Sequence, residues 1–512
     1  METGQAAHPR HPEALKTNME VNFYSFKLRQ MKFRKESDSL GEVLVPENAY
    51  YGAQTQRAID NFQISGFRPF EEFIWATAVV KLAAARANMR TGMLDPVKGR
   101  AIEEAAQEIV SGQLLDQFAV DVFQAGAGTS HNMNANEVIA NRSIELLGGE
   151  IGNYSIVHPN DHVNMSQSTN DTVPTTIRIV SIRLLMELNR ELVLLINSLR
   201  KKGKTFDRIV KSGRTHLEDA APVRLGQEFN AFADMLEYDM KRVIHSTGIL
   251  GELNIGATAV GTGVNADPAY VGHVVKELRT ITGYKLRNSR KLMALTQSMA
   301  DFVETSGALR ALSVDLTKIA NDLRLMNSGP VTGFGEITLP SVQPGSSIMP
   351  GKVNPVIAEC MNMVAFQCMG NDLSITFAAQ AGQLELNVMM PLIAFDMVFS
   401  IRIMRNAIKM FRELMVEGIK ANEKRCAELV ERSPGIALVL NPYIGYSKAA
   451  EAVKESLKTG KPIREIVLQR GWMKSEEIEN VLDLYSMTEP GVKGRKGKRA
   501  PAAGDKKRAR IS

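Results

Sequence analysis

Helical periodicity dominates this chain, and strand-like alternation is sparse. After Thr172-Val173-Pro174, apolar residues recur at Ile177, Val180, Leu184, Leu188, Leu192, Leu195 and Leu199. That is the three-and-four spacing of a long amphipathic helix whose first turn can accommodate the proline. Residues 290–327 and roughly 356–416 show the same pattern, interrupted by isolated glycines at Gly307, Gly370 and Gly382. Helices this long and this apolar need partners on more than one face, which predicts a mainly α fold built on a bundle, and an oligomer.

Composition shifts and turn residues divide the chain further. Residues 1–35 read as a basic N-terminal extension and 36–167 as a mixed, mostly helical N-terminal domain. Residues 168–423 form the long-helix bundle domain with a Gly/Pro-rich loop at 344–355, and 424–486 a small helical C-terminal domain punctuated by Pro434, Asn441-Pro442, Gly445, Gly460 and Gly471. Residues 487–512 have the composition of a disordered basic tail. There is no internal repeat, and no dinucleotide or Walker phosphate loop in its strand context.

Charge changes the picture only at the ends. The formal total is +6, yet residues 491–510 alone carry +8 and residues 1–35 carry +4, which leaves 36–490 at −6. The body is acidic, so a nucleic-acid role rests on the tails, as weak polyanion binding or as simple solubilising charge. No run of about 18 apolar residues occurs, and METGQAAHPRHPE lacks the layout of a secretory leader, so the expected compartment is the cytoplasm, with no membrane partner. Cys360, Cys368 and Cys426 have neither zinc-site spacing nor an even disulfide framework.

The densest chemistry lies in Pro344-Gly345-Ser346-Ser347-Ile348-Met349-Pro350-Gly351-Lys352-Val353-Asn354-Pro355. Glycines loosen this loop and prolines restrict it, as a lid with defined resting states requires. Ser346 or Ser347 could supply a nucleophile or base, Lys352 could hold a carboxylate or lower a serine pKa, and Asn354 could bind an oxygen. The plain alternative is a helix-entry loop.

Three more polar clusters stand out. Gly126-Ala127-Gly128-Thr129-Ser130-His131-Asn132-Met133-Asn134 can bind an anion through free amides at a helix start, or Thr129 or Ser130 can simply cap that helix. The run from His158 to Asp171 contains Ser168-Thr169-Asn170, two hydroxyls and an amide suited to a carboxylate. Its His158, Asp161 and His162 could ligate a metal, although turn and capping roles demand less of them. Within Gly213-Arg214-Thr215-His216-Leu217-Glu218-Asp219, His216 could be an acid, a ligand to a substrate carboxylate or a satisfied buried imidazole. Glu359, seven residues beyond Lys352, could orient a histidine or lysine, or be solvated. Together these residues suggest a site for a small polyanion. The missing metal set disfavours metal-assisted hydrolysis, and the missing nicotinamide fold disfavours hydride transfer.

The stretch from Gly345 to Pro355 resembles the signature of the aspartase/fumarase superfamily, and the likeness runs over roughly residues 37–486, through Asn441-Pro442-Tyr443-Ile444-Gly445-Tyr446. The resemblance implies a three-domain, mainly α protomer whose long central helices join a multi-helix core in a homotetramer. It also implies active sites composed from three subunits, a small dicarboxylate substrate and no required cofactor or metal. By the same resemblance Ser346 is the general base, and Lys352, Asn354, Thr129, Ser168, Thr169 and Asn170 bind substrate carboxylates. Thr215 and His216 complete the pocket, and Glu359 pairs with His216 across a subunit boundary. The implied reaction is an anti 1,2-elimination through an aci-carboxylate intermediate that yields fumarate.

Within the superfamily, Ala127 and Ser130 in the first cluster and His162 in Asp161-His162-Val163-Asn164 resemble members that release ammonia from L-aspartate. The alternative is the class II fumarase branch, which releases water from L-malate. A catalytically silent structural protein of the same fold is disfavoured by the retention of Ser346, Lys352, Asn354, Thr169, Asn170 and His216.

Overall fold

The computed structural model describes residues 32–493. Most of both basic ends therefore lies outside the described residues, and the expectation that they are disordered and bind polyanions lies there too. The described chain is mainly α-helical and divides into two compact units, each assembled from three stretches. The first takes the described residues of Met1–Leu185 with His245–Ser306 and Asn371–Ser400; the second takes Met186–Ile244, Gly307–Gly370 and the described residues of Ile401–Ser512.

In the first unit, strands β1 (Phe33–Asp38) and β2 (Gly41–Pro46) pair as an antiparallel hairpin. This pair escapes the sequence pattern because Val45 is its one fully buried apolar residue, so neither strand alternates visibly. Helix α1 (Ala53–Asn61) follows, then α2 (Glu71–Arg90), α3 (Pro96–Val110) and α4 (Thr129–Leu146). Helix α2 has Glu71 and Glu72 in its first turn and Arg90 in its last, matching the helix dipole at both ends. Asp95 caps α3 by accepting from the N–H groups of Val97 and Lys98, with Pro96 in the first turn. Ile74, Ala78, Leu82 and Ala85 of α2 pack with Ile102, Ala105 and Ile109 of α3 and Val138 and Ile139 of α4 in one apolar core.

Five helices of 25 to 37 residues make the central bundle: α5 (Thr169–Thr205), α6 (Leu225–Leu250), α9 (Ala300–Met326), α10 (Val356–Gln380) and α11 (Met390–Leu414), with α7 (Pro268–Thr282) and α8 (Leu292–Gln297) between α6 and α9. Ile177, Val180, Leu184, Leu188, Leu192, Leu195 and Leu199 are all fully buried along α5. Polar links stitch neighbouring helices: Arg178 to Asp301 at 2.8 Å and Ser306 to Asp372 at 2.6 Å in the first unit, Arg412 to Glu191 at 3.3 Å in the second. Gly307 and Gly370 sit inside unbroken helices, whereas the expected 356–416 helix breaks around Gly382, where Leu384 takes a positive φ.

Helix α5 starts three residues earlier than the proline suggests. Two side chains cap this start: Asp171 Oδ1 accepts from Ser168 N, and Ser168 Oγ accepts from Asn170 N. Pro174 then lies inside the helix and cannot bond the Asn170 carbonyl four residues back. The Asn254 side chain donates to that carbonyl instead.

In the second unit, strands β3 (Val210–Thr215) and β4 (Glu218–Arg224) form an antiparallel hairpin. Beyond α11 come α12 (Glu423–Arg432), α13 (Asn441–Thr459), α14 (Ile463–Gln469) and α15 (Ser475–Val481), and residues from Ile436 to Met487 share their own apolar core. Gly445 takes φ +80° and breaks the start of α13, as the sequence suggests. Among the described residues no helix is long and apolar enough to cross a membrane.

Candidate functional site

The first unit gathers three of its four candidates on one helix start. Ser168, Thr169 and Asn170 open α5, and Ser168 and Thr169 line a cavity of 390 Å³ with Asn132, Asn164, Gln167 and Thr258 among others. Both ends of this turn are fixed by Asp171, whose buried carboxylate accepts from the N–H groups of Ser168, Gly256 and Thr258 at 2.9–3.0 Å. Burial raises the Asp171 pKa, opposed by those N–H groups. Asn170 donates to Ala259 O at 2.7 Å, which ties the turn to the same segment. Ser168 Oγ and Thr169 Oγ1 both accept within the protein, from Asn170 N and Asn132 Nδ2, so each hydroxyl retains a hydrogen to give to an anion.

Thr129 is exposed as the first residue of α4, and its hydroxyl donates to Gly126 O at 3.3 Å. Two successive left-handed residues, Ala127 at φ +62° and Gly128 at φ +87°, turn the chain into that helix. Ala127 is buried, donates its N–H to Val388 O at 2.8 Å and lines neither this cavity nor the one below. His131, one turn in, donates from Nε2 to Thr77 Oγ1, because the Thr77 hydrogen goes to Phe73 O. Burial, with the nearby Lys81 charge, pushes the imidazole pKa down to about 3, so the ring stays neutral.

The second unit holds the other candidates. Ser346 Oγ accepts two backbone N–H groups, from Ile348 at 3.3 Å and Met349 at 3.0 Å. Asn354 Nδ2 donates to Gly345 O at 2.6 Å and cinches the loop at its neck. Lys352 and Asn354 line a cavity of 650 Å³ together with Arg324, Asn327, Thr338 and Glu359. Glu359, in the first turn of α10, makes an ion pair at 3.6 Å with Arg324 of α9. One helical turn away Asn362 donates to Asn321, so the two helices are bridged twice beside the cavity.

Thr215 and His216 occupy the exposed tip of the β3–β4 hairpin, where His216 and Leu217 both have positive φ, 57° and 63°. The stem is anchored in the interior. Lys211 and Arg214 each bind the fully buried Glu336, at 2.9 and 2.7 Å; Lys211 also binds Glu228, and Arg214 stacks on Phe334. Glu336 immediately precedes Ile337–Thr338, part of the wall of the Lys352 cavity. His216 does not line that cavity within this chain.

His158 and His162 use ring nitrogens as caps: His158 Nδ1 accepts from Asn160 N and Asp161 N, and His162 Nδ1 from His158 N at 2.7 Å. Among the described residues no group of three or more His, Cys, Asp or Glu is placed to hold a metal ion. Sequence reasoning passed over Asn132, Asn164, Gln167, Thr258, Arg324 and Lys81. The first three lie inside the quoted clusters without being singled out. Lys81 carried a signal of its own, one charge in the apolar run Ala78-Val79-Val80-Lys81-Leu82-Ala83.

Residues 41–370 match the family model described as Lyase, and residues 436–489 match Fumarase C C-terminus. The chain is 50% identical over 463 residues to an aspartate ammonia-lyase from Bacillus sp, covering 90% of this chain and 99% of that one. Among solved structures it is similar to a fumarate lyase:delta crystallin from Brucella melitensis bound to cobalt, with TM-score 0.87, 46% identity and coverage of 90% and 100%. It is also similar to a class II fumarase from Schistosoma mansoni, with TM-score 0.86, 32% identity and coverage of 89% and 99%.

Proposed function

The chain belongs to the aspartase/fumarase superfamily, and we propose that it catalyses the reversible anti-elimination of ammonia from L-aspartate to give fumarate. One observation carries the choice of leaving group: half of the aligned residues match an aspartate ammonia-lyase across nearly its whole length, against 32% for a class II fumarase of the same fold.

Ser346 is the general base. A serine hydroxyl is a weak base, and its alkoxide needs hydrogen bonds to persist; the N–H groups of Ile348 and Met349 already point at Oγ and would strengthen as it becomes charged. The alkoxide takes the proton from the carbon next to one carboxylate, and the electron pair moves into that carboxylate as an aci-carboxylate. Lys352, Asn354, Thr129, Ser168, Thr169 and Asn170 hold the carboxylates, and Thr215 and His216 complete the pocket. Donors aimed at the doubly charged group bind it more tightly than the ground state, which lowers the barrier. The pair then returns to form the double bond, and ammonia leaves with the electrons of the C–N bond. Glu359 orients His216 of a neighbouring subunit.

The protomer acts as three domains, 36–167, 168–423 and 424–486, in a homotetramer whose sites each draw on three subunits. Purified protein offered L-aspartate and L-malate separately, with fumarate absorbance and ammonia followed independently, tests the assignment. Fumarate and ammonia in equal amounts from aspartate are expected; fumarate from malate alone would move the enzyme to the fumarase branch.

A further inference from the structure

Lys81, on α2, is fully buried, yet it lies one side chain away from the 390 Å³ cavity. Its Nζ donates to Asn164 Oδ1 at 2.9 Å and to Gln167 Oε1 at 3.0 Å, and both of these residues line the cavity. Asn164 Oδ1 also accepts from Asn132 Nδ2 at 3.3 Å, and Asn132 Nδ2 donates in turn to Thr169 Oγ1 at 3.2 Å.

The chain of bonds has one direction, and Lys81 sets it. As an ammonium the group has N–H donors and no acceptor, enough for both amide oxygens, and so fixes the Asn164 side chain with its oxygen inward. Asn132 must then present its NH₂ to that oxygen and to Thr169. Thr169 Oγ1 receives a hydrogen from behind and has its own hydrogen left for the cavity. Reversal of Asn164 and Asn132 together would present an amide oxygen to Thr169 and draw the hydroxyl hydrogen away from the cavity. Burial pulls the Lys81 pKa down to about 7, partly offset by the Asp171 charge.

Taking Thr169 as a carboxylate donor in the function proposed above, we infer that Lys81 is a positioning residue, one that never touches substrate but makes the Thr169 hydroxyl a donor toward the bound dicarboxylate.

Succinate, the saturated analogue of fumarate, serves as the binding probe in a double-mutant cycle on the intact oligomer. Thr169→Val keeps shape and removes the hydroxyl; unchanged succinate affinity would end both the Thr169 assignment and this inference. With Thr169 a donor, Thr169→Val weakens succinate about tenfold or more, as expected for a hydrogen bond to a charged group. Lys81→Met is then expected to weaken it comparably, and the double variant to bind no more weakly than Thr169→Val alone. Losses that multiply in the double variant, or wild-type affinity in Lys81→Met, overturn the positioning role while leaving Thr169 as a donor. Should Lys81→Met fail to fold, Asn164→Leu cuts the same line between Lys81 and Asn132, and the same non-additivity with Thr169→Val is required.

Discussion

Replacing Gly345 with alanine probes the Ser346 loop, proposed above as catalytic, at its tightest point. The added Cβ would press on the carbonyl oxygen of Lys352 and stand 2.6 Å from Asn354 N and 2.7 Å from Val353 Cα. All three are backbone atoms, so no side chain can swing aside. The Asn354 contact alone asks for a shift of 0.4 Å to reach 3.0 Å, and the closer Lys352 carbonyl asks for more. The two segments of the neck must part, and the 2.6 Å bond from Asn354 to Gly345 O goes with them. A displacement of roughly 1 Å in groups that hold substrate costs on the order of 10²-fold in rate, about 2.7 kcal/mol of barrier. The loop is largely exposed, so global stability should hardly change. Fumarate formation followed by absorbance gives kcat and KM, and a thermal melt gives the control. A variant within threefold of wild-type kcat/KM would refute the idea that the closed neck sets the positions of Lys352 and Asn354.

Three further outcomes are expected. Ser346→Ala should lose at least about 10²–10⁴-fold in kcat with an unchanged melting transition; near-wild-type turnover in the fumarate assay would remove Ser346 from the base role. Glu336→Gln leaves Lys211 and Arg214 short of one buried carboxylate and should destabilise the protein by about 3–5 kcal/mol in denaturant unfolding; a loss below about 1 kcal/mol would show that Glu228 alone balances the cluster. Stability should also carry the imprint of Lys81, whose pKa in the folded chain is lowered to about 7 from 10.5 by burial against the pull of Asp171. Between these values the unfolded chain holds a proton that the folded chain lacks, so this group's contribution rises with pH across that window and is lost as pH falls through 7. Lys81→Met should flatten that rise in denaturant midpoints measured from pH 8 to 10, above the range in which His131 of the unfolded chain titrates; an unaltered slope would contradict the lowered Lys81 pKa.

The long helices were legible because burial leaves a period in the sequence: every apolar position of α5 that set the pattern is fully buried. The β1–β2 hairpin was not, because a hairpin with one buried apolar residue has no period to display. Helix α5 was misjudged at its start because Pro174 looked like a first-turn residue, and its defect is repaired by Asn254, eighty residues away. The same limit governs the site. Ser346, Lys352 and Asn354 could be found together because they share one loop, whereas the line from Lys81 through Asn164 and Asn132 to Thr169 joins three helices and appears only in three dimensions. The contiguous segments read along the chain also differ in kind from the compact units, each of which interleaves three stretches.

The two partners of Ser346 Oγ are both main-chain amides. Every residue type except proline supplies such an N–H, so the groups that would steady the alkoxide are almost indifferent to mutation at Ile348 and Met349 as long as the loop keeps its path. Side-chain scanning of those two positions would therefore miss them. Their contribution becomes visible only by chemical synthesis, when the Met349 amide is exchanged for an ester that keeps the side chain and deletes the N–H. Sequence drift at the exposed loop tip, where Ile348 is 84% accessible, can then proceed without disturbing the hydrogen bonds of Ser346.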